Sequence, residues 1–404
     1  MSVMGGVTRL EPVMLTQEGV HYLVANDGRK AYRSNPIMCS SAARAKLFWG
    51  DIHVHSQMSR CWEHLSRPPD LGYRYARDVV GLDFAALSDH SRSLDEPSWR
   101  AVREATQRHN SPGQFVTFLG FESSHATGRG GDVCVYYDTD DGEPYDLLPR
   151  RGHVGELFQL LEGRDALVIP HHMSRDEKRV SWKPEFYGGP EREPVAEVYS
   201  KWGASEFEGN PRPLMRAAHG PFYWQDGLAR GWRLGAIGGT DSHATVAGGY
   251  GVEPTQFHPQ PGLTAIYAEQ LTRAALWDAL KARRCYATSA RRILLDFQVN
   301  DRWLGQEVYV DEDSTARLRR HLKVRAAGTT RIGDITVVRN NVPVFTHRGS
   351  ELIEEFEWVD DEPFERIALR GEVANKAPFL YYYVRVTQAD GERAWSSPIW
   401  LSEK

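Results

Sequence analysis

The sequence predicts an α/β protein in which parallel strands alternate with helical crossovers, followed by an all-β region. Three observations carry this. From Leu47 onward, short apolar runs recur and amphipathic helical patterns lie between several of them. Many of these runs end in residues that bind metals, and chemistry at the C-terminal ends of successive strands marks the mouth of a barrel. From about residue 291 the helical period gives way to apolar-polar alternation, as in RILLDFQVN and ITVVRNN.

The chain has 404 residues, room for two domains, with an ordinary globular composition of 41% hydrophobic and 25% charged residues. A formal net charge of -5 supplies no overall basic field, so neither nucleic acid nor a membrane surface is an expected partner. No apolar run approaches the ~20 residues that cross a bilayer. The opening MSVMGGVTRLEPVML has no basic segment followed by an apolar core, so no signal peptide is expected. The four cysteines, Cys39, Cys61, Cys134 and Cys285, form no C-x-x-C pair, which suits a reducing cytoplasm, the expected location.

Taken in order, residues 1–46 read as a β-rich lead-in without chemistry of their own. Residues 47–290 form the expected barrel. There, LFWGDIHVH ends on His53 and His55, FAALSDH on Asp89 and His90, and FVTFLGFE on Glu122. LVIPHH ends on His171 and His172, VAEVYS carries Glu197, Tyr199 and Ser200, and LGAIGGTDSH ends on Asp241 and His243. Helical patterns cover 73–80, 96–109, 154–161 and 213–219, and a later helix is expected over 272–284 with a basic last turn. Between Glu122 and VCVYY only a short Gly-rich stretch intervenes, too short for a crossover helix. These two strands should therefore pair antiparallel, which sets Asp132 beside Glu122 at the same mouth. Counting this strand gives roughly seven. Residues 291–404 form the expected β-sandwich, with a hairpin turn at 389–391.

A lone H-x-H is weak evidence, because histidines are often only satisfied polar residues. His53 and His55, one residue apart on a strand, nonetheless point to one side. Asp241 and His243 repeat that spacing, and His90 and His171 add imidazoles at further strand ends. Buried without partners, such groups would cost several kcal/mol each, about 2–7 for a neutral polar group. A shared metal cluster removes that cost. Imidazole plus carboxylate ligation suits Zn²⁺, Mn²⁺ or Fe²⁺ better than Ca²⁺ or Mg²⁺, and Glu122 can bridge two ions.

The motifs DIHVHS, GLDFAALSDH, GFESSH, IPHH and GGTDSH resemble the PHP (polymerase and histidinol phosphatase) superfamily. EVYSKWGASE, CYATSARRILLDFQVN and YYYVRVTQADGERAWSSPIW are similar to its DUF3604 branch. The resemblance runs from about Ser34 to the end. It implies a distorted (β/α)7 barrel, two or three divalent transition metal ions (Zn, Mn or Fe), and hydrolysis, typically of phosphate esters, by a metal-bridging hydroxide. It implies metal ligands at His53, His55, His90, Glu122, His171, Asp241 and His243, with His172 and Asp89 as residues that support the ligands, contact substrate or transfer protons. Two positions depart from the family pattern. Cys61 stands where a carboxylate or histidine is usual, with Glu63 or His64 as substitutes, and a thiolate there biases the site toward zinc. Asp132 stands where a histidine is usual, with His125 as its competitor.

Arg60, Arg129, Arg175, Lys178 and Arg179 lie on loops after strand ends and are candidates to clamp an anionic small-molecule ester. For each one alone, a solvated surface charge is the simpler reading. Trp62, Trp182, Tyr187, Trp202 and Trp224 lie in the same loops, as pocket walls or as loop packing. Two alternatives remain: a metal-dependent carboxyl ester, amide or lactone hydrolase, and a catalytically degenerate barrel acting as a binding protein.

Overall fold

The computed structural model describes residues 13–41, 45–61, 64–125, 128–147, 152–250, 260–373 and 377–404, with the backbone of short strands at 2–4 and 7–9. The lead-in holds two short antiparallel pairings, Gly19–His21 with Ile37–Cys39 and Val24–Asn26 with Ala31–Arg33.

The strands that matter for the site are β1 (Lys46–Asp51), β2 (Phe84–Leu87), β3 (Val116–Ser123), β4 (Asp132–Tyr137), β5 (Ala166–His171), β6 (Val195–Ser200) and β7 (Gly235–Gly238). Two more, β8 (Gly262–Ala268) and β9 (Cys285–Ser289), follow them. β1, β2 and β3 pair parallel, while β4 pairs antiparallel with both β3 and β5. Glu122 thus faces Cys134 across the ladder and Asp132 faces His171. This is the antiparallel step that the short Gly-rich connection requires, since no crossover helix fits there.

A closed (β/α)7 barrel is not what the hydrogen bonding shows. β5-β4-β3-β2-β1-β8-β9 run as one large sheet, and β6 and β7 belong to a separate three-stranded sheet. The reason lies at β1, whose second edge is taken by β8 through an antiparallel ladder from Lys46 to Gly50. β7 pairs with β6, and its continuation reaches the extension of β1 through a parallel bridge between Val54 and Ser242. The Asp241 amide donates to the His53 carbonyl there, and the His55 amide to the Ser242 carbonyl, both at 2.8 Å.

Helices are few. α1 (Pro69–Arg74) continues into a π-helical turn at Tyr75–Val80, and α2 covers Glu96–His109 behind an Asp95 N-cap. α3 (Val154–Leu160), α4 (Trp224–Ala229) and α5 (Arg273–Lys281, capped by Thr272) follow. The helix expected over 213–219 does not form. Arg216 is left-handed, with φ 59, and the segment gives its amides to neighbouring loops: Met215 to the Trp202 carbonyl and Ala218 to the Ser174 carbonyl. Tertiary bonding has replaced the helical ladder.

The large sheet continues across residue 290. β9 pairs with β16 (Arg393–Ser396), the partner of β15 (Pro378–Gln388) across the expected hairpin. Before them in the chain come β10 (Leu294–Val299), β11 (Arg320–Ala327), β12 (Ile332–Arg339), β13 (Val342–Arg348) and β14 (Ile353–Asp360). β10, β11 and β14 form a second antiparallel sheet. Its Leu295, Phe297 and Val324 share one core with Ile335, Val337 and Val384 of the large sheet, a sandwich-like arrangement. Among the described residues no helix is long and apolar enough to cross a membrane.

Candidate metal centre

Strand ends deliver the donors. The ladders run slightly past the strands, with a parallel bridge pairing His90 with Glu122 just as Val54 pairs with Ser242. Rigid backbone therefore sets each donor residue against another.

The result is a buried, continuous group of donors. His55 Nε2 lies 3.0 Å from Asp241 Oδ1 and 3.2 Å from Glu122 Oε2. His53 Nε2 is 3.3 Å from Asp241 Oδ1, and His90 Nδ1 is 3.2 Å from Glu122 Oε2. His171 Nε2 is 3.7 Å from Glu122 Oε1, His172 Nε2 is 2.9 Å from Asp241 Oδ2, and His243 Nδ1 is 3.6 Å from Asp241 Oδ1. Donor atoms of His53, His55, Glu122 and Asp241 all lie within 4.8 Å of one another, as do those of His55, Cys61, His90 and His243. The same holds for His171, His172 and Asp241, and for Glu122, Asp132 and His171. The groups overlap at His55, Glu122, His171 and Asp241, the pattern of ligands shared between ions.

These residues fit divalent metal ions on their own chemistry. His53 Nε2, His90 Nδ1 and both ring nitrogens of His171 are buried without a hydrogen-bond partner among the described residues. Such orphans are rare in native interiors. Burial works against the charge of Glu122 and Asp241, yet nearby imidazoles hold both carboxyls well below the usual range. Burial would likewise lower His55, but Asp241 and Glu122 raise it to about 9. Burial and the neighbouring His55 push His243 down to about 3. Two ionised carboxylates thus draw positive charge into a buried space, which bound cations would supply.

Supporting contacts orient the donors. Asp89 does not reach the cluster. Its carboxylate accepts from the Ser56 amide, the Ser56 hydroxyl and the Ser59 hydroxyl at 2.7–2.8 Å. Of the roles expected for Asp89, these contacts match support of the ligands. Ser59 Oγ, donating to Asp89, accepts from His55 Nδ1 at 2.9 Å, which turns His55 Nε2 toward Glu122 and Asp241. Asp51 accepts from the amides of His53, Thr240 and Gly248, tying β1 to the loop that carries Asp241. His172 and Asp241 themselves have left-handed backbone, with φ 49 and 51, strain that the surrounding bonds hold in place.

Two buried residues here had no role in the sequence reading. Glu197 accepts from His53 Nδ1 at 2.8 Å. Gly239 makes room for it, since a Cβ there would sit 2.3 Å from Glu197 Oε2 and 2.7 Å from His53 Cβ. A carboxylate near a strand end, in EVYS, was the available signal. The second is Cys134, grouped with His53 and His171.

At the two departures, two of the candidates lie among the grouped donors. Cys61 sits in the His55 group, while His64 is exposed and Glu63 lies outside the described residues. Asp132 sits with Glu122 and His171, whereas His125 joins none of these groups and contacts Ser123.

The basic residues divide. Lys178 bonds Asp132 at 3.2 Å, and Arg175 lies over the Trp202 ring, 5.7 Å from its centroid. Trp202 in turn packs edge-on against His172 and His243. Arg60 is instead half-exposed and paired with Asp95 at 2.6 Å. Arg179 pairs with Asp176 and covers Phe222. Arg129 is half-buried in the turn before β4. Of the aromatics, Trp182 packs on Trp232 and Trp224 on Tyr383 in the core, and the half-buried Tyr187 stacks on Trp232 from outside. Trp62 lies outside the described residues. A cavity of about 680 Å³ lies elsewhere, lined by Trp49, Tyr267, Arg292 and Leu294 and by no residue of the cluster. The donor chemistry, not the cavity, locates the site.

The fold and site define an α/β protein whose strand ends converge on a buried, metal-fitting donor cluster. Residues 253–321 match the family model described as Protein of unknown function (DUF3604), the branch that the sequence motifs resemble. An uncharacterized protein of Chlamydia pneumoniae is 29% identical over 383 residues, covering 92% of this chain. An uncharacterized protein of Chlamydia trachomatis is 28% identical over 387 residues, again covering 92% of this chain. The chain spans 60% of the length of these curated relatives. A solved structure from Bacteroides vulgatus, described as a two-domain protein containing a predicted PHP-like metal-dependent phosphoesterase, covers 89% of this chain and 95% of its own. Its identity is 14% and its TM-score 0.43, a likeness too low to transfer an activity.

Proposed function

We propose that this protein is a metal-dependent hydrolase of the PHP type, acting on a phosphate ester. The observation that carries the reading is the convergence of buried imidazoles, His53, His90 and His171 among them with unbonded nitrogens, on two shared carboxylates, Glu122 and Asp241. The ligands in this reading are His53, His55, Cys61, His90, Glu122, Asp132, His171, Asp241 and His243, around two or three divalent ions. Bound there, such ions would lower the pKa of a water toward ~7 and neutralise phosphoryl oxygens.

The protein's own groups do the rest. Glu197 and Ser59 fix the rings of His53 and His55 through their Nδ1 atoms. His172, with Nε2 at 2.9 Å from Asp241, holds the proton that the leaving group takes. Lys178 and Arg175, at the Asp132 and Trp202 side, hold the anionic substrate.

Metal analysis of the purified protein tests this first. About one or more transition metal ions per chain is the expected result, and a protein that neither carries nor takes up metal would sink the proposal. A panel of phosphomonoesters, phosphodiesters and carboxyl esters follows. Turnover of carboxyl esters alone would replace the phosphoesterase reading with that of an ester hydrolase.

A further inference from the structure

We propose that Cys134 is a sulfur ligand at the floor of the metal centre. The centre would then carry a thiol on each side and select a soft divalent ion, Zn²⁺, over Mn²⁺ or Mg²⁺. This rests on the metal-dependent reading above and names the metal class of that same site.

The register places the thiol. Cys134 faces Glu122 on β3 and Ile169 on β5, so on β4 it shares the inward face with Asp132 two residues before it. It lies one step deeper than Asp132. A cysteine there could be mere core, since it packs with Ile52, Tyr136 and Ile169. Its polar neighbours argue otherwise. Its sulfur and one nitrogen each of His53 and His171 lie within 4.8 Å of one another, all three buried. The His171 side chain is 2% exposed and neither of its ring nitrogens has a hydrogen-bond partner among the described residues. An imidazole so deeply buried and so unsatisfied beside a thiol needs a ligand.

The dimensions agree. Zinc bonds of ~2.3 Å to sulfur and ~2.0–2.1 Å to nitrogen set tetrahedral donors about 3.5 Å apart. Side-chain adjustments of about an ångström bring the three donors to that spacing. Cys61 occupies the equivalent place in the other group, with His55, His90 and His243. Each thiol gives its proton to solvent as the sulfur–metal bond forms. Thiolate ligation favours zinc over the oxygen-preferring ions.

The test uses the full chain, stripped of metal and titrated with Co²⁺. Thiolate-to-cobalt charge transfer gives near-ultraviolet absorption that imidazole and carboxylate ligands do not. We expect that band in the parent protein, a reduced band in Cys134→Ser and in Cys61→Ser, and none in the double variant. Cys134→Ser should also lower the ratio of Zn²⁺ to Mn²⁺ affinity by about tenfold or more. Cys134→Ala, checked for folding by circular dichroism, provides the same readings if serine is poorly tolerated in the apolar floor. An unchanged band and an unchanged Zn²⁺/Mn²⁺ ratio in a folded Cys134 variant would overturn the inference while leaving the metal site intact. No Co²⁺ binding by the parent protein would overturn the metal-dependent reading itself.

Discussion

Two regions of this protein bury charge, and they do so in opposite ways. Where the loop after β6 meets the C-terminal strands, Glu206 is fully buried. It accepts from Arg385 at 2.7 Å, from the Tyr383 hydroxyl at 2.8 Å and from Trp395 Nε1 at 2.7 Å. Gln225 donates to the same Tyr383 hydroxyl, so that oxygen both accepts and donates. At the strand ends, by contrast, His53, His90 and His171 keep unbonded nitrogens beside ionised carboxylates. A saturated network is a structural joint. An unsaturated one of equal burial is held in place by its surroundings and is completed by a ligand.

The largest effect should come from breaking the unsaturated region. His55→Ala or Asp241→Ala should remove turnover to background, a loss of about 10³-fold or more. Either variant should remain folded, because no joint is lost. Circular dichroism together with assays on the best phosphoester checks both halves. Activity that survives would show that the chemistry sits elsewhere.

The saturated region should behave in reverse. Glu206→Ala leaves Arg385 buried without its carboxylate, which costs on the order of 3–5 kcal/mol. Urea unfolding should show that loss, while metal content per folded chain stays unchanged. A variant as stable as the parent would mean that the network is not a joint.

A smaller effect sharpens the link between the donors and their supports. Glu197→Gln keeps the shape but weakens the charge that orients His53. Outer contacts of this kind typically change metal affinity by about 10–100-fold. Competition against a chelator would read this, and an affinity within twofold of the parent would remove Glu197 from the site.

The smallest effect is expected at Arg60. Its pair with Asp95 is half-exposed and worth about 0–1 kcal/mol. Arg60→Ala should leave both stability and KM near the parent values, whereas Lys178→Ala should raise KM. Equal effects of the two would erase the distinction drawn between them.

Much of the site was legible because its donors sit at the ends of apolar runs, where a local pattern announces both a strand and its exit. The pairs at 53 and 55 and at 241 and 243 show this, as does the antiparallel step beside Glu122. Glu197 was harder to see, since its partner His53 is 144 residues away. Cys134 was harder still, since one apolar residue inside VCVYY looks like core. The helix expected over 213–219 failed because its amides are bound by Ser174 and Trp202, contacts that a local period does not reveal.

The amino-acid sequence by itself determined the chemistry: imidazoles and carboxylates in period-two pairs at successive strand ends, an antiparallel return too short for a helix, and an all-β C-terminal region. Only the tertiary structure decided how those ends close. β8 takes the edge of β1, so β7 meets the β1 extension at a bridge beside His53 and Asp241. It also decided which carboxylate meets which group: Glu197 meets the His53 ring, whereas Asp89 meets Ser56 and Ser59. The reason is physical. Side-chain alternation is set by neighbours in the chain, whereas ladder edges and hydrogen-bond partners are allotted by competition among segments far apart in it.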